Sequence, residues 1–283
     1  MKYRHSFHAG NFADVHKHVT LLALIASLQR KDKGFLYLET HAGRGLYDLH
    51  GADTHQGAEA RLGIGALQAA RCDRPQVAAY LDALARARGN ANAASAYAGS
   101  PVLAALALRA QDRGVCCEIQ AAECRALERA LRCYPRMRCE CVDGYQAIGA
   151  LLPPPERRAL VLIDPPYEEQ ADDLQRATDG LGKSLARLAN AVVALWYPIK
   201  DDRDTGPWLE RIAPRLPVPA LVAELWLHPR DARVGLNGSG LLIANPPYQL
   251  DVEMAQWLPA LGAALGATRQ GGSTVRWIAH EQH

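Results

Sequence analysis

A chain of 283 residues with 49% hydrophobic content can build one substantial core and a small appended subdomain. Its 32 basic and 30 acidic residues leave a net charge of only +2, which excludes a strongly polycationic surface, so any nucleic-acid contact has to be local. Seven cysteines, an odd number with no C-x-x-C pair, argue against a disulfide framework and a zinc site and for reduced thiols in a cytoplasmic protein.

The first residues, Tyr3-Arg4-His5-Ser6-Phe7-His8-Ala9-Gly10-Asn11, mix cations, aromatics and glycine. That composition suits phosphate contacts and base stacking, and it lacks the apolar region and small-residue cleavage site of a secretory signal. Asp14 stands where it can cap a helix with Val15, Val19, Leu22, Ile25 and Ala26 on one face. No apolar run approaches the roughly 20 residues of a membrane span, so no membrane association is expected. The histidine pair His16 and His18 has no acid or cysteine to complete a metal site, and no metal is expected.

Strand-length apolar runs follow at Phe35 to Glu39, Val115 to Ile119, Arg138 to Val142, Ala159 to Ile163, Ala191 to Trp196, Leu221 to Leu227, Leu241 to Ala244 and Thr274 to Ile278. Alternating with helical patterns, they predict an α/β protein with a largely parallel sheet. About 75 residues separate the first two strands, far more than one crossover helix needs. The Ala- and Arg-rich patterns inside predict an all-helical insertion at 50–98, with the main domain formed by 1–49 and 99–283. Ser100 is placed as N-cap, with Pro101 at the first position, of the helix that resumes the main domain. Pro153-Pro154-Pro155 reads as a stiff linker before the fourth strand.

The candidate chemistry gathers at the strand ends. Glu39 leads into Thr40-His41-Ala42-Gly43-Arg44-Gly45, a turn whose glycines let the backbone approach a ligand. A dinucleotide site would continue with a third glycine where Asp48 stands, so that reading is the weaker one. Glu118 and Asp143-Gly144 end the next two strands, at the sheet edge where ribose hydroxyls and adenine amines are bound. The fourth strand runs into Asp164-Pro165-Pro166-Tyr167. An exocyclic adenine amine is a poor nucleophile, because its lone pair is delocalised into the ring. Asp164 and the Pro165 carbonyl can each accept one of its protons, the two prolines stiffen the loop, and Tyr167 can stack on an extruded base. A rival copy, Asn245-Pro246-Pro247-Tyr248, suits the same chemistry or amide methylation of a protein glutamine. A position beside the first strand favours Asp164, and strands six and seven are expected at the far edge.

Together the opening YRHSFHAGNFADVHKH, the THAGRGLY loop, the AGSP turn, Glu118, VDGY, LIDPPYE and ALWYP resemble the bacterial adenine-N6 methyltransferases of 23S ribosomal RNA over nearly the whole chain. The resemblance implies a Rossmann-like class I methyltransferase sheet with a small inserted helical subdomain, S-adenosylmethionine as cofactor, a large-subunit adenine as substrate and a monomer. It also implies that His18, His41, Ser100, Glu118, Asp143, Gly144 and Asp164 surround the cofactor, with Gly43 in the same loop. Asp164 takes the catalytic role and Tyr3, beside Arg4, contacts the substrate. The chain departs from the family pattern at Phe12 and His16 and in its Ala-rich insertion. A DNA adenine methyltransferase and a non-catalytic RNA-binding assembly protein are the alternatives.

Overall fold

The computed structural model describes residues 8–49, 58–91, 95–167, 170–200, 202–232 and 234–280. Its centre is an eight-stranded sheet. The strands are β1 (Leu36–Glu39), β4 (Arg113–Cys117), β5 (Met137–Glu140), β6 (Ala159–Ile163), β7 (Val192–Ile199), β8 (Ala220–Trp226), β9 (Gly238–Ala244) and β10 (Gly272–Ala279), with lateral order β10-β8-β9-β7-β6-β1-β4-β5. Five neighbours, from β7 to β5, run parallel, while β9 is antiparallel to both β7 and β8, and β10 to β8. Every residue of β1 and of β6 is buried, which is why their sequences are continuous apolar runs, broken only by Glu39 at the end of β1, and not alternating ones. Leu38 lies in register between Val115 and Val161.

One face of the sheet is covered by α1 (Phe12–Leu28), the helices Pro75–Ala91, Ser100–Ala107 and Ala121–Leu131, and the helix Leu250–Ala264; Val15, Tyr37, Leu160, Leu162 and Trp257 belong to this core. The other face carries Gly144–Leu151, Gln170–Arg187 and Asp202–Ile212, packed around Leu38, Val161, Ile163 and Leu181. This three-layer α/β arrangement is the expected Rossmann-like fold. The chain first runs outward from β1 to β4 and β5, then returns to the other side of β1 with β6. The reversal between β1 and β6 is where such a sheet opens a crevice at its carboxyl edge.

The structure amends several local expectations. Asn11, not Asp14, caps α1, its side chain accepting the Asp14 N–H at 3.0 Å. Helix α1 is buried nearly all round, because the sheet lies on one side and the insertion on the other, and Ala26 is an exposed exception. Within 50–98 the chain holds a π-turn at Arg61–Gly65 and the helices Ala66–Ala69 and Pro75–Ala91, but also β3 (Ala96–Ala98). This strand pairs with β2 (Leu46–Asp48) and closes the insertion at its base, so the region is not all-helical. Leu67, Val77, Tyr80 and Tyr97 join the core of the α1 face. Gly99 caps the helix that starts at Ser100, one residue earlier than expected, and the Ser100 hydroxyl turns to a carboxylate instead.

Candidate active site

The carboxyl ends of the parallel strands border a cleft of about 1280 Å³ and an adjoining recess of about 220 Å³. His41, Glu118, Ile119 and Pro165 line both.

The glycine turn after β1 holds Gly43 at φ +60° and Gly45 at φ +75°, conformations that side chains rarely adopt. A Cβ on Gly43 would also stand 2.5 Å from the Tyr47 hydroxyl. The turn leads into β2 and not into a helix, so it is not built as a dinucleotide phosphate loop. Its backbone binds Glu118 instead. Gly43 N–H donates to Glu118 Oε2 at 2.9 Å and Gln120 N–H to Oε1 at 2.7 Å, fixing a largely buried carboxylate at the cleft. Beside it Ile119 is 64% exposed, an apolar side chain left in water at the mouth of both recesses.

Asp143 caps Gly144–Leu151 by accepting the Tyr145 N–H at 2.8 Å. Gly144 lets that helix start against β1's end: a Cβ there would stand 2.0 Å from the Thr40 carbonyl oxygen. Next to it, His41 Nδ1 shares a hydrogen bond with the Thr40 hydroxyl at 2.8 Å, and the ring meets Tyr145 edge-on. Burial lowers the His41 pKa to about 4, so the ring is neutral near pH 7. Glu39 lies beneath the turn, fully buried. It accepts from Tyr37 Oη at 2.8 Å and from the Ser100 hydroxyl, and burial raises its pKa to about 7. It supports the turn rather than lining the cleft.

Asp164, at the end of β6, meets a residue that sequence reasoning missed. Lys17 Nζ lies 2.5 Å from Asp164 Oδ2 and 2.9 Å from Asp14 Oδ1, and the lysine side chain is 4% exposed. Burial alone would lower a lysine pKa, but the two carboxylates outweigh it and hold the ammonium well above its ordinary value. The same ammonium lies 5.8 Å from the centre of the Trp196 ring, which contacts Tyr167 edge-on. Tyr167 is buried at φ +53° and donates its hydroxyl hydrogen to the Trp196 carbonyl. Its ring is thus tucked against the cleft wall in this state, not projected into space.

The second motif faces away. Strand β9 is antiparallel, so its last residue Ala244 pairs with Val193 near the start of β7. Asn245 follows it at the opposite end of the sheet from Asp164, donating to the carbonyls of Ala189 and Ala191 at 2.7 and 2.9 Å. Strand direction separates the two motifs. Lateral position does not, since β9 lies inside the sheet between β7 and β8.

Of the residues named from sequence, His41, Gly43, Ser100, Glu118, Asp164, Pro165 and Tyr167 line the main cleft, and Asp143 and Gly144 line the recess. His18 does not line either. It lies buried in the layer behind, bonded to Tyr97 Oη at 3.0 Å, while its neighbour Lys17 faces the cleft, because consecutive helical residues point about 100° apart. Phe12 lines the cleft, and His16 is buried on the Ser239 hydroxyl at 3.0 Å. Tyr3 and Arg4 lie outside the described residues.

Known proteins match this chain along its length. The family described as Ribosomal RNA large subunit methyltransferase D, RlmJ, matches residues 32–279. Proteins of Haemophilus influenzae and Escherichia coli, both named Ribosomal RNA large subunit methyltransferase J, are 36% identical over 282 and 281 residues, 99% of this chain and 100% of each relative. A crystal structure of a Legionella pneumophila protein superposes with a TM-score of 0.82 at 33% identity, covering 95% of this chain and 97% of that one.

Proposed function

We infer the activity from membership: the chain belongs to the RlmJ family of large-subunit ribosomal RNA methyltransferases. It is an S-adenosylmethionine-dependent enzyme that methylates the exocyclic N6 amine of an adenine in 23S ribosomal RNA. The observation that carries this reading is Asp164-Pro165-Pro166-Tyr167 at the carboxyl end of β6, opening on the same cleft as Glu118 and His41.

The residues fit the cofactor. Glu118, held by two backbone N–H groups at the cleft, can accept ribose hydroxyls. Exposed Ile119 offers an apolar surface for a purine at the recess where Asp143 can accept an amine hydrogen. When bound, S-adenosylmethionine supplies a methyl group made electrophilic by its sulfonium. The chain's own task is to prepare the amine. Asp164 accepts one amine hydrogen and the Pro165 carbonyl the other, drawing the nitrogen out of conjugation. The surplus proton leaves to Asp164 or to water. Lys17 holds the Asp164 carboxylate in place. Gly43, Ser100, His41 and Gly144 shape the cofactor side, and Tyr167, with Tyr3 and Arg4 of the N-terminal segment, serves the RNA. His18 acts from behind, through its packing on Tyr97. No step requires a metal. Among the described residues no helix is long and apolar enough to cross a membrane. The enzyme acts as a monomer in the cytoplasm, where its RNA is made, with 1–49 and 99–283 as the catalytic domain and 50–98 as an insertion.

The test offers labelled S-adenosylmethionine with protein-free 23S ribosomal RNA, DNA and a release factor in parallel, alongside Asp164→Ala. Label recovered as N6-methyladenine in the RNA, and lost in the variant, supports the reading. Label only on DNA or protein, or cofactor binding without transfer to any of the three, rejects it.

A further inference from the structure

Two cysteines and a glutamate that look unrelated in sequence converge at the outer edge of the sheet, on the side of Ala121–Leu131. Cys124 Sγ lies 3.3 Å from Cys139 Sγ. The ligand atoms of Cys124, Glu128 and Cys139 all fall within 4.8 Å of one another. Secondary structure explains the convergence. Cys124 and Glu128 are one helical turn apart, so they share a face. Cys139 lies on the edge strand β5, against which that helix packs. The sequence holds no C-x-x-C pair because the three donors are split between two elements.

We infer that Cys124, Cys139 and Glu128 form a binding site for one thiophilic divalent cation, with zinc as the fitting class and solvent as its fourth ligand. A tetrahedral centre with Zn–S near ~2.3 Å sets its sulfurs ~3.8 Å apart, within about half an ångström of the separation observed. One wall is closed, since Cys124 is 1% exposed, while Glu128 is exposed and leaves a path for entry. Binding forms metal–sulfur bonds and releases the thiol protons to solvent. The site is structural and lies outside the cleft; it pins the helix after Glu118 to the last strand of the sheet.

The experiment uses the full chain, untagged, reduced and stripped of metal, titrated with Zn²⁺ against a chromophoric chelator and with Co²⁺ under absorption. One equivalent should bind, Co²⁺ giving a thiolate charge-transfer band with the intense d–d bands of a tetrahedral centre. Cys124→Ser and Cys139→Ser should each weaken Zn²⁺ at least roughly tenfold. Glu128→Gln should keep the charge-transfer band with weaker binding, and Cys133→Ser should change nothing. Circular dichroism confirms that each variant folds. Absence of the Co²⁺ charge-transfer band in the unaltered protein, or equal affinity in the folded Cys124→Ser and Cys139→Ser variants, overturns the site. So does a Cys124–Cys139 disulfide that forms in air while no metal is taken up, which would assign the pair to redox chemistry.

Discussion

Lys17 and Asp164 form a buried ion pair, Nζ to Oδ2 at 2.5 Å, although they stand 147 positions apart in sequence, on helix α1 and at the end of β6. Asp14 shares the same ammonium at 2.9 Å, so one cation serves two carboxylates in a place from which water is largely excluded. Removing one partner of a buried pair leaves an uncompensated charge, which costs more than the pair contributes.

Lys17→Met is therefore expected to destabilise the protein by about 3–5 kcal/mol in urea unfolding. It should also lower kcat by at least about tenfold, since the cation that holds the Asp164 carboxylate in place is gone. Asp164→Asn leaves Lys17 paired with Asp14 alone, so it should fold with a smaller loss of stability and lose at least about 100-fold in kcat. If Lys17→Met shifts stability but leaves kcat where it was, the lysine serves packing alone.

The two proline motifs should separate cleanly. Asn245 is held at φ +51° and bridges two carbonyls ahead of β7. Asn245→Ala should lose about 1–3 kcal/mol of stability, from two unsatisfied acceptors and a strained backbone, with kcat unchanged. A loss of kcat matching that of Asp164→Asn would move the chemistry to the other end of the sheet.

The sheet was legible because its strands are buried on both faces: Ala159 to Ile163 is bounded identically in sequence and structure, and β1 differs by one residue. Glu118, Asp143 and Asp164 were legible because acids at strand ends stand out against apolar runs. Lys17 was not, since a lysine on a helix ordinarily faces solvent and only the fold brings Asp164 across to it. The ribbon of β2 and β3 was missed because three-residue strands carry no periodicity. The cap of α1 was misread because Asn11 and Asp14 are both good cap residues, and only geometry shows Asp14 turned to Lys17.

Gly144 is a position where side-chain volume and cofactor geometry meet. A Cβ would push the helix Gly144–Leu151 off the Thr40 backbone, displacing Asp143 and His41 together. Gly144→Ala should lose about 1–3 kcal/mol and weaken S-adenosylmethionine at least roughly tenfold by calorimetry. Gly182→Ala is the control, in helix Gln170–Arg187 with nothing within 4 Å of the added carbon. It should be neutral or gain up to about 1 kcal/mol. Equal cofactor affinity in both variants would remove Gly144 from the site.

Glu39 gives the fold a pH dependence with a defined sign. Burial raises its pKa from the ordinary 4.5 to about 7, against the hydrogen bonds from Ser100 and Tyr37 that favour the ionised form. Between those values the native state binds more protons at this group than the unfolded chain does. Its contribution to stability is therefore fully present below about pH 4.5, falls as pH rises toward 7, and is level above. Glu39→Gln removes the titration while altering the hydrogen bonds equally at every pH. The stability of the unaltered protein minus that of the variant should thus decline by on the order of 3 kcal/mol across the window, in urea unfolding at about pH 5, 6, 7 and 8. A constant difference would mean that Glu39 keeps the same protonation in both states, and that the turn carrying His41 and Gly43 rests on an ordinary carboxylate.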